Sequence, residues 1–178
     1  LTCALSTLVS AIVPPGASTP LFYLVATAPD SAGVNFLPIR LSGGADPYSI
    51  LNTGQPPAKF YFYQGQLLAL DPNPQFHNRG FVNTKLAGGT CTTYGEFGVI
   101  GGTNTNKCAS YGTFGLSSNQ ENSQLGAKLV FHWTGGFYVC GATKIESDKH
   151  TRVYYKVNAA DGPGGCSPIE LYTVPVIQ

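Results

Sequence analysis

Apolar positions along this chain gather into short dense runs broken by Gly, Pro and Asn, and almost none of them recur at the 3.6-residue period of a helix. Residues Lys59 to Leu70 (KFYFYQGQLLAL) and Lys128 to Cys140 (KLVFHWTGGFYVC) each carry an aromatic and aliphatic strand into a Gly-containing turn and out into a second apolar strand. Aromatic and β-branched residues fit a pleated, half-buried surface, so each stretch predicts a β-hairpin. Leu21 to Thr27 (LFYLVAT) and Val34 to Leu41 (VNFLPIRL), joined through Pro29 to Gly33, predict a further hairpin. Pro38 cannot donate to a ladder, which puts its strand at an edge or a bulge. Ser42 to Ala58 is a Gly- and Pro-rich loop, and Asp71-Pro72-Asn73-Pro74 ends the Lys59 hairpin abruptly. Strands Val153 to Val157 and Ile169 to Val174 predict a last hairpin around the long loop 158–168.

An internal echo lies in the middle. Cys91-x-x-Tyr94-Gly95-x-Phe97-Gly98-Val99 and Cys108-x-x-Tyr111-Gly112-x-Phe114-Gly115-Leu116 share the pattern C-x-x-Y-G-x-F-G-apolar, 17 residues apart. The aromatics could form a sugar-stacking surface. Aromatic rings serve far more often as packing, so two sibling strands with Tyr and Phe in a core are expected. If these strands run antiparallel about the Gly- and Asn-rich segment 101–106, Cys91 lies opposite Gly115 and away from Cys108.

Charge and cysteine content narrow the class. At 178 residues the chain has the size of a single domain, 1–178, able to bury a real core. Charged residues make up 11% against about 25% in an average protein, while Gly (22) and Pro (13) are frequent, which suits short strands and tight turns. Net charge is +1 and the basic residues are scattered, so no stripe for nucleic acid exists. Leu5, Leu8, Val9, Ile12 and Val13 fall at helical spacing, but the run stops at Pro14-Pro15, too short for a membrane span. Residues 1–20 are therefore expected to pack on the core. The chain has no Met and no basic leader region, as expected of a mature secreted chain. Five cysteines (Cys3, Cys91, Cys108, Cys140, Cys166) include no C-x-x-C pair, which disfavours zinc and thioredoxin-type sites and favours disulfides. Two bridges with one thiol left over is the simplest arithmetic, and the odd cysteine leaves a covalent dimer open. A Cys140–Cys166 bridge is the preferred pairing; it would close a 26-residue loop and stabilise by about 3 kcal/mol.

FYLVAT with its second strand, the A-K-F-Y-F-Y-Q-G-Q-L-L-A-L segment, and K-L-V-F…F-Y-V-C-G followed by a Gly-rich loop with one more Cys together resemble secreted fungal cell-wall proteins of the phialide (phiA-like) type. The similarity covers roughly Phe22 to Cys166, with the best matches at Phe60 to Leu70, Cys140 and Cys166. It implies an extracellular, wall-associated protein and transfers no active-site residues.

Catalytic chemistry is sparse. His77, His132 and His150 lack metal-ligand spacing, and His132, inside an apolar strand beside Trp133, reads as a strand residue. The elbow G-x-S-x-G is missing; Ser110 in A-S-Y-G comes nearest. Glu96 with Glu170 or Asp71 would be glycosidase candidates only if the fold brings a pair to within about 5–9.5 Å. Glu146 to His150 reads as a solvated loop. Trp133, Tyr63, Tyr138, Asn119 and Gln120 have chemistry suited to a shallow sugar site, in which rings stack on CH faces and amides pair with hydroxyls. The Q-x-W motif of ricin-type lectins does not occur, and Asn106-Lys-Cys is the nearest approach to an N-glycosylation acceptor. The expectation is a secreted, disulfide-stapled all-β domain, a β-trefoil or related hairpin-repeat barrel, without cofactor or metal and without catalysis. Its partners would be cell-wall polysaccharide or other glycans. A carbohydrate-binding lectin-like module and a small secreted hydrolase are the alternatives.

Overall fold

The computed structural model describes residues 10–28, 33–41, 49–51, 56–70, 78–86, 88–101, 106–119, 125–141 and 151–177. These residues are all-β. Thirteen strands follow in chain order: β1 (Phe22–Thr27), β2 (Arg40–Leu41), β3 (Ser49–Leu51), β4 (Lys59–Tyr63), β5 (Gln66–Ala69), β6 (Asn78–Lys85), β7 (Cys91–Gly101), β8 (Ala109–Ser110), β9 (Phe114–Ser117), β10 (Lys128–Phe131), β11 (Gly136–Cys140), β12 (Thr151–Lys156) and β13 (Cys166–Pro175). All pairings are antiparallel, and the sequence β12-β7-β6-β5-β4-β1-β13-β11 returns to β12, a closed cycle of ladders. No helix among the described residues is long and apolar enough to cross a membrane.

Period-two burial fills the interior. Phe22, Leu24 and Ala26 of β1 point into the main core, as do Phe60 and Phe62 of β4, Phe97 and Val99 of β7, Phe137 and Val139 of β11, and Val153 and Tyr155 of β12. Intervening residues face outward, except where the chain covers them. Tyr61, Leu68, Leu21 and Val176 form a second cluster, packed by Ile12, Ala17 and Tyr23. The segment from residue 10 is tied there by Leu21 N–H to Ile12 O (2.8 Å) and Ser18 N–H to Phe62 O (2.7 Å). The apolar positions Leu5, Leu8 and Val9 lie outside the described residues.

The Lys59 hairpin forms as its sequence predicts. Gln64 and Gly65 both take positive φ (49° and 77°), the two-residue turn whose twist matches the flanking strands. Val34 to Leu41 pairs with β1 more loosely than an unbroken strand would: Pro38 bridges Val25, and Ile39 N–H reaches Leu24 O at 2.7 Å. Pro38 interrupts the ladder, so the named strand there shrinks to Arg40–Leu41, which pairs with β3 inside the expected 42–58 loop.

Three expectations are overturned. Lys128 to Cys140 is no hairpin: β10 pairs with β9 and at Lys128 with β13, whereas β11 pairs with β12 and β13. Nor do β12 and β13 pair with each other, because β11 lies between them. A strand has two edges, and in both cases non-local partners have taken them. The third is the antiparallel pairing of the two sibling segments about 101–106, which leaves a direct Cys91–Cys108 bridge open: the segments do not pair with each other, and the two cysteines form a disulfide with Cα atoms 5.2 Å apart. β7 and β8 both pair with Val82 and Asn83 or their neighbours on β6, hence from opposite edges, and the β6–β7 register shifts between Asn83 and Lys85. The cystine spans β6 at that bulged end. The sibling strands thus join other neighbours, although Phe97 and Phe114 do meet in the core with ring centroids 5.6 Å apart.

Cys140 and Cys166 are bridged as expected, directly opposite each other on β11 and β13. The bond staples that ladder, not a β12–β13 hairpin. Cys3 lies outside the described residues. Replacing Cys140 and Cys166 together by Ala should lower the free energy of unfolding in urea by about 3 kcal/mol, as expected for opening a 26-residue loop, while the β-type circular dichroism persists. An unchanged urea midpoint would show that the ladder holds without the covalent link.

Candidate functional site

One long strand generates a concavity. One edge of β13 pairs with β1 from Glu170 to Pro175. Its other edge pairs with β11 from Cys166 to Ile169 and with β10 at Tyr172, leaving a gap between. β10 and β11 diverge across that gap, and a pocket of about 380 Å³ opens between them. Phe131, Phe137 and Ile169 form part of its floor, with Trp133, Tyr138, Thr27, Lys128 and Glu170 around it.

Trp133 stands at the rim, 68% exposed. His132 and Trp133 both have positive φ (52° and 59°), an uncommon backbone for such residues, and Gly135 follows at 62°. The turn is held by the Tyr155 hydroxyl, which donates to Thr134 O at 2.5 Å, and by His132 N–H to Thr113 O at 3.0 Å. The indole lies across Gly115 of β9, where a Cβ would come within 2.9 Å of Cζ2. The second Gly of the duplicated motif therefore makes room for the ring. Tyr138 is backed in a different way. Lys156, 3% exposed, holds its ammonium 5.1 Å from the Tyr138 ring centroid and donates to Pro163 O at 3.0 Å.

The polar wall is the pair Lys128–Glu170. Lys128 Nζ donates to Glu170 Oε1, and the Tyr172 hydroxyl donates to Oε2 at 2.5 Å. Burial pushes the Glu170 carboxyl up, but the hydrogen bonds from Lys128 and Tyr172 and the ammonium charge outweigh it and hold the group below its ordinary value.

Of the residues expected from sequence to bind sugar, Trp133 and Tyr138 meet in this pocket. Tyr63 does not line it; it sits at the β4–β5 turn, beneath Gly16. Asn119 donates from Nδ2 to Leu125 O at 3.3 Å and ties its own loop, and Gln120 lies outside the described residues. Sequence pattern alone does not single out Lys128, and it offers Glu170 only as a candidate acid. The legible signal for both is a lone charge in an otherwise apolar strand.

The two candidate acids among the described residues, Glu96 and Glu170, line different pockets. Glu96 lines a separate pocket of about 220 Å³, where it accepts from Arg152 Nη1 through both oxygens (3.0 Å each) and from the Tyr154 hydroxyl at 2.6 Å. Burial and that bond to Glu96 raise the Tyr154 phenol well above its ordinary value. His132 is a turn residue and not the strand residue its neighbours suggested; the alternation rule fails where the chain leaves the ladder. Its Nε2 stands 3.4 Å from Ser110 Oγ, exposed to solvent. His77, His150, Asp71 and the segment 146–148 lie outside the described residues, among which no group of three or more His, Cys, Asp or Glu could hold a metal.

No family model, curated protein or solved structure matches this chain. What the site can do must be read from its own chemistry: two aromatic faces, each fixed from behind, beside a charged pair with donors and acceptors to spare.

The Glu170 interaction has a defined pH signature. A carboxyl whose value is lowered by folding stabilises the native state fully above its ordinary 4.5, and that contribution is lost as pH falls through the folded value. Wild type should therefore exceed Glu170→Gln in unfolding free energy at neutral pH, and the gap should shrink steadily below pH 4.5, as read from urea melts across pH. A gap that is constant with pH would mean that the carboxylate charge contributes nothing.

Proposed function

We propose that this is an extracellular, non-catalytic protein that binds carbohydrate in the pocket between β10 and β11. The single observation carrying this reading is the Trp133–Tyr138 pair beside Lys128 and Glu170. Sugar rings present CH faces to aromatic planes and hydroxyls to polar edges, and this pocket offers both within one concavity. Two disulfides favour an oxidising compartment, and the resemblance to phialide-type wall proteins supports a location in or near a fungal cell wall. We take the closed cycle of ladders as the wall of a hairpin-repeat barrel, an architecture that removes sheet edges by closure. Its rigidity favours a preformed site.

One observation favours a small hydrolase instead, the Ser110–His132 contact. It is solvent-exposed, and a nucleophile–base pair needs a third group orienting the base. Labelling of Ser110 by a fluorophosphonate, abolished in His132→Ala, would support that reading.

A glycan array tests the main proposal. The wild-type chain should bind at least one saccharide class in a sugar-competable way. Trp133→Ala should weaken that binding by roughly tenfold or more, the scale of one lost stacking face plus its buried area, while the thermal midpoint stays put because the indole is a rim group. An array without any competable signal would remove the carbohydrate reading.

A further inference from the structure

We propose that this pocket selects uncharged saccharides, and that the Lys128–Glu170 pair sets that selectivity. The inference rests on the carbohydrate reading above and deepens it.

Among the residues lining the pocket, Lys128 and Glu170 are the charged ones, and they neutralise each other. Their side chains are 37% and 45% exposed, so both can still meet a ligand. The backbone fixes their positions. Lys128 is paired with Ser117 on one side and Tyr172 on the other, and Glu170 is paired with Thr27. Neither charge belongs to a loop that could move aside.

Hydrogen-bonding capacity remains on both partners. A carboxylate offers about four acceptor sites, and Lys128 and Tyr172 occupy one on each oxygen. An ammonium carries three donors and cannot accept. A hydroxyl donates and accepts at once, so two adjacent sugar hydroxyls can donate to Glu170 and accept from Lys128 while the ion pair stays intact. A uronate or sulfate has acceptors only and brings a second anion against Glu170. The ammonium of a glucosamine unit has donors only and brings a second cation against Lys128. Either ion can bind well only by separating the pair, which strands the partner charge in a partly desolvated pocket. Thr27 and Thr134 add hydroxyls of the same dual character, and the floor is apolar.

The protein holds a single tryptophan, so intrinsic emission reports this rim directly. The full chain is titrated at low ionic strength with neutral oligomers of glucose, mannose and N-acetylglucosamine, with oligogalacturonate and with chitosan oligomers. Neutral oligomers should shift Trp133 emission, and the charged ones should bind at least roughly tenfold more weakly, the scale of one charge-assisted hydrogen bond. Lys128→Met leaves the carboxylate without its counter-ion and should raise affinity for chitosan oligomers. Glu170→Gln frees the ammonium and should raise affinity for oligogalacturonate. Opposite changes in charge preference would not follow from a pair that merely braces the fold. Thermal melts confirm folding, and if Lys128→Met does not fold, the wild-type ranking with Glu170→Gln decides alone. Charged oligomers binding the wild type as tightly as neutral ones would overturn this inference and leave the carbohydrate reading standing. No emission change with any saccharide would overturn both.

Discussion

A strand has two hydrogen-bonding edges, and the structure depends on how β13 distributes its own. One edge is given to β1 over six residue pairs. The other is shared in succession by β11 and β10. The backbone groups between those two segments of ladder are where the wall parts, and the pocket is the direct result. Pairing with β11 and β1 also closes the cycle of ladders, so the same strand that seals the core interior opens the concavity between β10 and β11. Continuous pairing of β10 along β13 would fill the gap and leave Trp133 and Tyr138 without a common space.

Around that gap, small residues and a buried charge position large rings. Gly115 removes a side chain where the indole must lie, and Gly135 turns the chain so that its backbone passes close to Lys156 O. Phe131, Phe137 and Tyr155 pack edge to face beneath the turn, with centroids 4.7 and 5.9 Å from Tyr155 to the two phenylalanines. Tilted contacts of this kind resist sliding, so the floor holds its shape without a ligand. Cys140–Cys166 adds a covalent tie next to the Phe137–Ile169 and Tyr138–Pro168 pairs that form the β11 side.

Local pattern made much of this readable. The strand character of nearly every apolar run, the Gln64-Gly65 turn and the Cys140–Cys166 pairing were all visible in the residues, because alternation and turn chemistry act over a few positions. Pairing choice was not. Residues Lys128 to Cys140 carry the signature of a hairpin, yet both strands are claimed by β9, β12 and β13, whose competition cannot be seen within thirteen residues of sequence. The Cys91–Cys108 bridge was hidden for the same reason: it depends on a third strand, β6, which takes β7 and β8 on its two edges, and on the register shift between β6 and β7 near Asn83. At the site, Trp133 and Tyr138 were recognisable by residue type, whereas Lys128 and Glu170 acquire meaning only when β10 and β13 bring together positions 42 apart.

Lys156 links distant parts of this arrangement. Its ammonium is satisfied by a carbonyl of the 158–165 segment and by the ring of Tyr138, and it is almost wholly shielded from water. That segment cannot lift from the surface without uncovering a cation and withdrawing the charge that steadies the ring. The lysine therefore couples the two: motion in the glycine-rich connection on the outside would be felt at the Tyr138 ring.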